Sequence, residues 1–299
     1  MINRQGNQKG AADPRLALRS DRAAVPLDNF AADRQPHPRP FILAPHMQAL
    51  KRGEDAVQIF FLEADPVIGD RNLAEAIEFF RRHFRVLPLG ELVAKLERGE
   101  PIDRHLAITF DDGYRDNFDN AVPVLEKLSL PATFFVVSQW IGSNVVPWWE
   151  AQGTRRTWMT WEHVRELRKR GFEVGSHTRT HSDLGSITGP VALKEILGGR
   201  LEIEERLEER IDLFAYPYGG SQHMASANRE LVKAAGFRCC CSCYGGLTRS
   251  GDDPFDLHRI AISPWYASPE QFGLELVRGM RPPSASRIPC CGTSEVTGP

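Results

Sequence analysis

The sequence predicts an α/β protein, an irregular (β/α) barrel of about seven parallel strands. Two observations lead there. Short apolar runs alternate with amphipathic segments of helical periodicity over most of the 299 residues, the pattern that successive parallel βα units produce. In addition, Asp111, Asp112, His177 and Tyr218 each fall where an apolar run ends, and both barrels and open parallel sheets build their sites at the carboxyl ends of strands. Seven or so units are more than a small open sheet needs, which favours the barrel.

Taken in order, residues 41–46 (FILAPH) are the first strand candidate. Residues 72–84 (NLAEAIEFFRRHF) carry apolar side chains at helical spacing, with Asn72 placed to cap the helix, and 89–98 form a second short helix closed by Gly99 and Pro101. The alternation then becomes regular: a strand at 106–110, a helix at 119–128 and a strand at 131–137 (PATFFVV). A helix at 161–170 stops at Gly171, a strand follows at 172–176, and a long charged helix covers 191–210. The series ends with a strand at 211–216, a helix at 228–235 stopped by Gly236, strands at 237–243 and 258–262, and a helix at 269–279. Residues 1–40, rich in Arg, Asp, Gln, Ala and Pro, are expected to be a disordered arm before a domain at 41–280. Its chemistry-bearing core is 104–262, and 281–299 read as a flexible tail.

A formal net charge of −2 with 25% charged residues gives no reason to expect nucleic acid or an anionic membrane as partner. No run approaches the roughly 18 apolar residues of a transmembrane helix. The first residues lack the apolar stretch of a secretory signal, so the expected location is cytoplasmic, with envelope association compatible. The six cysteines form two clusters, Cys239-Cys240-Cys241 with Cys243, and Cys290-Cys291. Three consecutive cysteines inside an apolar run read as small buried hydrophobes rather than a disulfide framework.

Two segments carry chemistry. Thr109-Phe110-Asp111-Asp112-Gly113 places two carboxylates and a glycine directly after a strand, and His177-Thr178-Arg179-Thr180-His181 places two imidazoles after another. An Asp-Asp-Gly triplet alone is commonly a turn, and two histidines four apart alone are commonly on a surface. Together they supply an oxygen ligand, two nitrogen ligands and a spare carboxylate, the set a hydrolase needs to hold one divalent cation and activate water. Adjacent residues leaving a strand point to different sides, so the two aspartates can take different roles. Four tryptophans, Trp148, Trp149, Trp158 and Trp161, cluster after the PATFFVV strand and could stack on sugar rings or fill the core. The Glu/Arg-rich stretch 202–210 reads as a solvated helix face.

These motifs, in this order, resemble those of the polysaccharide deacetylases with the NodB homology domain (carbohydrate esterase family 4). The resemblance spans roughly 104–262, where TFDDG is unbroken, the H-[ST]-x-x-H motif is His177 to His181, and Tyr216-Pro217-Tyr218-Gly219 matches a third motif in part. It implies a NodB-type distorted TIM barrel, Asp111 as general base, and Asp112, His177 and His181 as metal ligands. The Tyr218 backbone N–H would hold the oxyanion. The implied cofactor is one divalent metal, Zn2+ first, with Co2+, Ni2+ or Fe2+ also suiting an Asp/His₂ site. The chain departs from the pattern at Ala215, where the family carries an arginine that orients the base. The late histidine motif that supplies the general acid also has no clear copy: His258 is the best placed candidate, with His46 and His223 as alternatives.

The expected function is therefore a metal-dependent hydrolase acting on linear amide C–N bonds. It would remove N-acetyl groups from a GlcNAc-containing chitooligosaccharide, exopolysaccharide or peptidoglycan by attack of a metal-bound water. An N-acetylated saccharide is the expected partner. Two other readings share the site: an O-acetyl (xylan) esterase, and a catalytically inactive carbohydrate-binding relative, the latter prompted by Ala215 and by the lack of a clear general acid. A glycosidase fits poorly, because its two carboxylates flank the scissile bond about 5–9.5 Å apart, whereas these are adjacent in sequence.

Overall fold

The structure is a computed structural model that describes residues 56–62, 70–150, 156–242 and 246–262. Seven strands run parallel: β1 (Ala56–Leu62), β3 (His105–Phe110), β4 (Thr133–Val136), β5 (Glu173–Ser176), β6 (Leu213–Ala215), β7 (Cys239–Cys241) and β9 (Ile260–Ile262). Their spatial order is β7-β6-β5-β4-β3-β1-β9. The two-residue β2 (Arg85–Val86) lies parallel beside the start of β3, and β8 (Thr248–Arg249) pairs antiparallel with the start of β1. A single parallel bridge joins Cys241 to Leu257, and the same segment enters β9 against β1 three residues later. The sheet therefore curls until its two ends share one stretch of chain, as the predicted irregular barrel requires.

Strand alternation divides the core into two layers. Leu106, Ile108, Phe110, Phe134, Val136 and Phe214 face outward and pack with the helices. Ala107, Phe135, Leu213, Ala215, Cys239, Cys241 and Leu257 form a separate inner cluster. Helix α2 (Leu89–Glu97) adds Leu89, Leu92, Val93 and Leu96 to that interior. Its first turn is tied to the sheet by Glu173, at the start of β5, which accepts the Gly90 amide at 3.0 Å and the Thr133 hydroxyl at 2.6 Å. The three cysteines of β7 are buried free thiols, as expected.

The remaining helices are α1 (Asp70–His83), α3 (Val122–Leu128), α4 (Trp161–Lys169), α5 (Gly189–Leu207) and α6 (Ser226–Ala234). Several differ from the sequence reading. Helix α1 starts at Asp70, so Asn72 lies inside its first turn rather than capping it. A π-turn, Asn117–Ala121, precedes α3 and carries the buried Asn117, whose amide donates to the Asp111 carbonyl at 3.3 Å. Strand β1, which pairs with both β3 and β9, has no counterpart in the sequence reading. Its AVQIFFL run is nearly continuous in apolar residues, as strands covered on both faces are, and so shows no period. The expected strand at 41–46, the helix at 269–279, the arm, the tail and the second cysteine pair lie outside the described residues. Among the described residues no helix is long and apolar enough to cross a membrane.

Candidate active site

The inward series Ala107, Thr109, Asp111 carries the first residue after β3 into the barrel mouth. Asp111 is 4% exposed and is met there by a fully buried arginine, Arg259. Arg259 Nη1 donates to Asp111 Oδ1 at 2.9 Å and to Thr109 Oγ1 at 3.1 Å, and Nη2 donates to Asp111 Oδ2 at 2.7 Å. Its Nε donates to the Ser242 carbonyl, and the guanidinium lies 5.6 Å from the Phe135 ring centroid. This two-pronged pairing fixes the plane of the carboxylate as well as its position. Arg259 thus supplies, from the segment leading into β9, the charge that the family pattern would place at position 215.

Asp112 turns away from Asp111 because its backbone is left-handed, at φ 70°, followed by Gly113 at φ 84°. A side chain at Gly113 would also meet Ile141 Cδ1 at 2.7 Å, so only glycine fits this turn. The turn brings Asp112 Oδ1 to 3.3 Å from His177 Nε2 and 3.2 Å from His181 Nε2. The three donor atoms lie within 4.8 Å of one another. His177 Nδ1 donates to the Ala215 carbonyl at 2.9 Å, which fixes the tautomer and leaves the Nε2 lone pair facing the cluster. His181 is oriented by packing instead: Trp140 stacks on it at 4.9 Å, and Trp149 and Tyr218 lie 5.3 and 4.7 Å away. One carboxylate and two imidazoles converging on one point is a donor set that fits a divalent cation such as Zn2+.

The electrostatics agree with that division. Burial pushes the Asp112 carboxyl upward, but its hydrogen bonds to His177 and His181 more than reverse this and hold it below the usual carboxylate range. Burial also presses the His177 imidazole down, yet Asp111 and Asp112 outweigh it and raise it above the ordinary histidine value. Each prefers the charged form in the presence of the other, so a cation entering between them displaces a proton.

Backbone strain gathers at the same place. Among the described residues the non-glycine positions with positive φ include Asp112, Thr178 (65°), His181 (61°) and Tyr218 (61°). Such conformations cost of order 1 kcal/mol each and persist only where surrounding contacts enforce them. Tyr218 lies on the mouth beside His181, 38% exposed.

The structure brings Asp111, Asp112, His177, His181 and Tyr218 together, but it does not bring His258 to them. In the extended segment, Arg259 takes the inward position, so His258 faces the other side and lies against Gly246. Of the alternatives, His223 lies 5.2 Å from the Tyr218 ring and 2.9 Å from Asp183 Oδ1, while His46 is outside the described residues. The tryptophans divide. Trp158 is buried and stacks on Tyr114 at 4.4 Å, and Trp161 packs on the core. Trp149 reaches the mouth, and Trp148 is 76% exposed beside it. Sequence reasoning missed Arg259 and Trp140. The signal for the first was an arginine within the otherwise apolar string Leu257-His258-Arg259-Ile260-Ala261-Ile262.

The chain is similar to known proteins in sequence and in fold. Residues 98–240 match the family model described as polysaccharide deacetylase. YxkH of Bacillus subtilis (strain 168) is 27% identical over 168 residues, 55% of this chain and 54% of that protein. The poly-beta-1,6-N-acetyl-D-glucosamine N-deacetylase of Staphylococcus epidermidis is 35% identical over 78 residues, 26% of this chain and 27% of that one. The match thus spans about half the length of the first relative and about a quarter of the second. Among solved structures, the Streptococcus pyogenes deacetylase PplD has TM-score 0.63 at 19% identity, covering 77% of this chain and all of that one. IcaB from Ammonifex degensii has TM-score 0.62 at 21% identity, covering 76% and 97%. The domain built on residues 98–240 belongs to the polysaccharide deacetylase family.

Proposed function

We propose that this chain is a metal-dependent N-deacetylase of a GlcNAc-containing oligo- or polysaccharide, with Asp112, His177 and His181 holding one divalent cation. The observation that carries the reading is the separation of roles between two neighbouring aspartates. Asp112 faces two imidazole nitrogens, while Asp111 is locked by the two-pronged Arg259 contact and aimed into the same mouth. A cation in that donor set supplies Lewis acidity, polarising an acetamide carbonyl and acidifying water.

The chain's own residues do the rest. Asp111 removes the proton from the attacking water, and its fixed geometry means no reorientation is needed when charge develops. The Tyr218 amide, held in the left-handed turn before Gly219, is the donor for the oxyanion of the tetrahedral intermediate. Trp149 and Trp148 offer ring faces on which a sugar stacks, and the wall of Trp140, Trp149 and Tyr218 around His181 limits water access. The departing amine needs a proton, and of the candidate histidines His223, whose ring lies 5.2 Å from that of Tyr218, is the one beside the mouth. Of the substrate classes, poly-beta-1,6-N-acetylglucosamine is favoured by the named activity of the Staphylococcus epidermidis relative.

The test is acetate release by Zn2+- or Co2+-loaded protein from poly-beta-1,6-N-acetylglucosamine, chitooligosaccharides, peptidoglycan and acetylated xylan. Release from an N-acetylated saccharide, lost in Asp111→Asn and accompanied by loss of bound metal in Asp112→Ala, is expected. Release from xylan alone would move the reading to the O-acetyl esterase, and no release from any of them would overturn it. Arg259 pairs with Asp111 where Ala215 cannot, so the reading as an inactive binder loses one of the two observations that prompted it and keeps the other, the missing general acid.

A further inference from the structure

Helix α5 carries two carboxylates that grip the loop between the paired histidines. Glu195, 8% exposed, accepts the Thr180 amide at 2.8 Å on Oε2 and the Thr180 hydroxyl at 2.9 Å on Oε1. Two turns on, Glu202 accepts Arg179 Nε on Oε1 and the Ser138 hydroxyl on Oε2, both at 2.6 Å. The sequence reading of residues 202–210 as a solvated face therefore fails at Glu202. Between the two carboxylates the helix approaches so closely that a Cβ at Gly199 would sit 2.7 Å from the Thr178 carbonyl carbon. From the opposite side, the Ser138 and Gln139 amides donate to the Thr178 and Arg179 carbonyls at 3.3 and 3.0 Å. The loop so clamped contains both left-handed residues of the motif, Thr178 and His181.

An isolated loop would relax such conformations. The Thr180 amide is adjacent to His181, and a buried carboxylate whose two oxygens both accept from one residue sets that residue's orientation. We propose that Glu195 is a positioning residue for the cation site: by holding Thr180 it keeps His181 Nε2 turned toward Asp112 and His177. This rests on the reading of Asp112, His177 and His181 as cation ligands.

The experiment measures Zn2+ affinity by chelator competition and the visible spectrum of the Co2+-loaded protein for the wild type, His181→Ala, Glu195→Ala and Glu195→Gln. Stoichiometric Zn2+ in the wild type and its loss in His181→Ala establish the ligand reading; a wild type that holds no Zn2+ sinks that reading. Given that baseline, Glu195→Ala is expected to weaken Zn2+ binding roughly 10-fold, the low end for groups behind a ligand, and to change the Co2+ absorption. Glu195→Gln can accept the Thr180 amide and donate to its hydroxyl, so it should stay within about 3-fold of the wild type, a rescue that loss of stability alone does not explain. Wild-type affinity and spectrum in Glu195→Ala overturn the proposal. If that variant does not fold, Glu195→Asp, which withdraws the same charge by one methylene, takes its place: weakened binding supports the proposal and wild-type binding overturns it.

Discussion

Replacing Arg259 by methionine removes a guanidinium that is fully buried and spends all its described donors on Asp111, Thr109 and the Ser242 carbonyl. Asp111 keeps its burial and loses its counter-charge. Breaking a buried, hydrogen-bonded ion pair from one side costs about 3–5 kcal/mol, because the remaining charge stays buried without its hydrogen-bonded counter-charge. At about 2–4 °C per kcal/mol for a domain of this size, that is a fall in Tm of about 6–20 °C. Asp111→Asn strands the buried guanidinium in the same way, and the double variant should recover much of the loss, since a neutral amide beside a methionine strands no charge. Denaturant unfolding of the four proteins gives the coupling energy directly, and at least about 2 kcal/mol is expected. Activity should follow the geometry: loss of carboxylate orientation costs on the order of 100-fold in kcat, with Arg259→Lys intermediate, since it keeps the charge but not the fork. Additive single effects, within about 0.5 kcal/mol, together with wild-type kcat in Arg259→Met, would show that the pair does not act as described.

Other outcomes follow from the same geometry. Ala215 and Asp111 both face the barrel interior, and position 215 is where the family pattern carries its arginine, so Ala215→Arg in the Arg259→Met background should restore part of kcat, measured as acetate release. The exposure of Trp148, 76%, predicts that Trp148→Ala leaves Tm nearly unchanged while raising KM for an oligosaccharide roughly 2- to 10-fold, the range of one aromatic contact. Because His258 lies against Gly246 rather than at the mouth, His258→Ala should retain kcat, whereas an acid role would show as loss of kcat with bound metal intact. For pH, the raised His177 value means its protonated form stabilises the metal-free fold fully below about 6.5, the unfolded value, and this contribution fades as pH rises through the higher folded value. Zn2+ competes for the same nitrogen, so its affinity should climb with pH across that window; a flat affinity profile there would contradict the assignment.

Much of the site was legible in the chain because its parts are local. Asp111 and Asp112 are neighbours, His177 and His181 sit within one loop, and each pair follows an apolar run whose strand character is evident from composition. The alternation of short apolar runs with helical segments likewise carried the barrel. Element ends shifted by one to three residues, and β1 escaped because its nearly continuous apolar run carries no polar alternation to set a period.

Arg259 and Glu195 escaped for a different reason. Arg259 meets a partner 148 residues away, and whether position 258 or 259 faces inward depends on strand register, which a one-residue slip reverses. Glu195 looks like any acidic residue of a charged helix until that helix is laid against the Thr178–His181 backbone. By itself, then, the sequence determined which groups could do the chemistry, since ligand and base identity reside in side-chain type and short spacing. Only the tertiary structure decided what holds those groups in place, since register and the close approach of distant segments are set by packing the whole barrel.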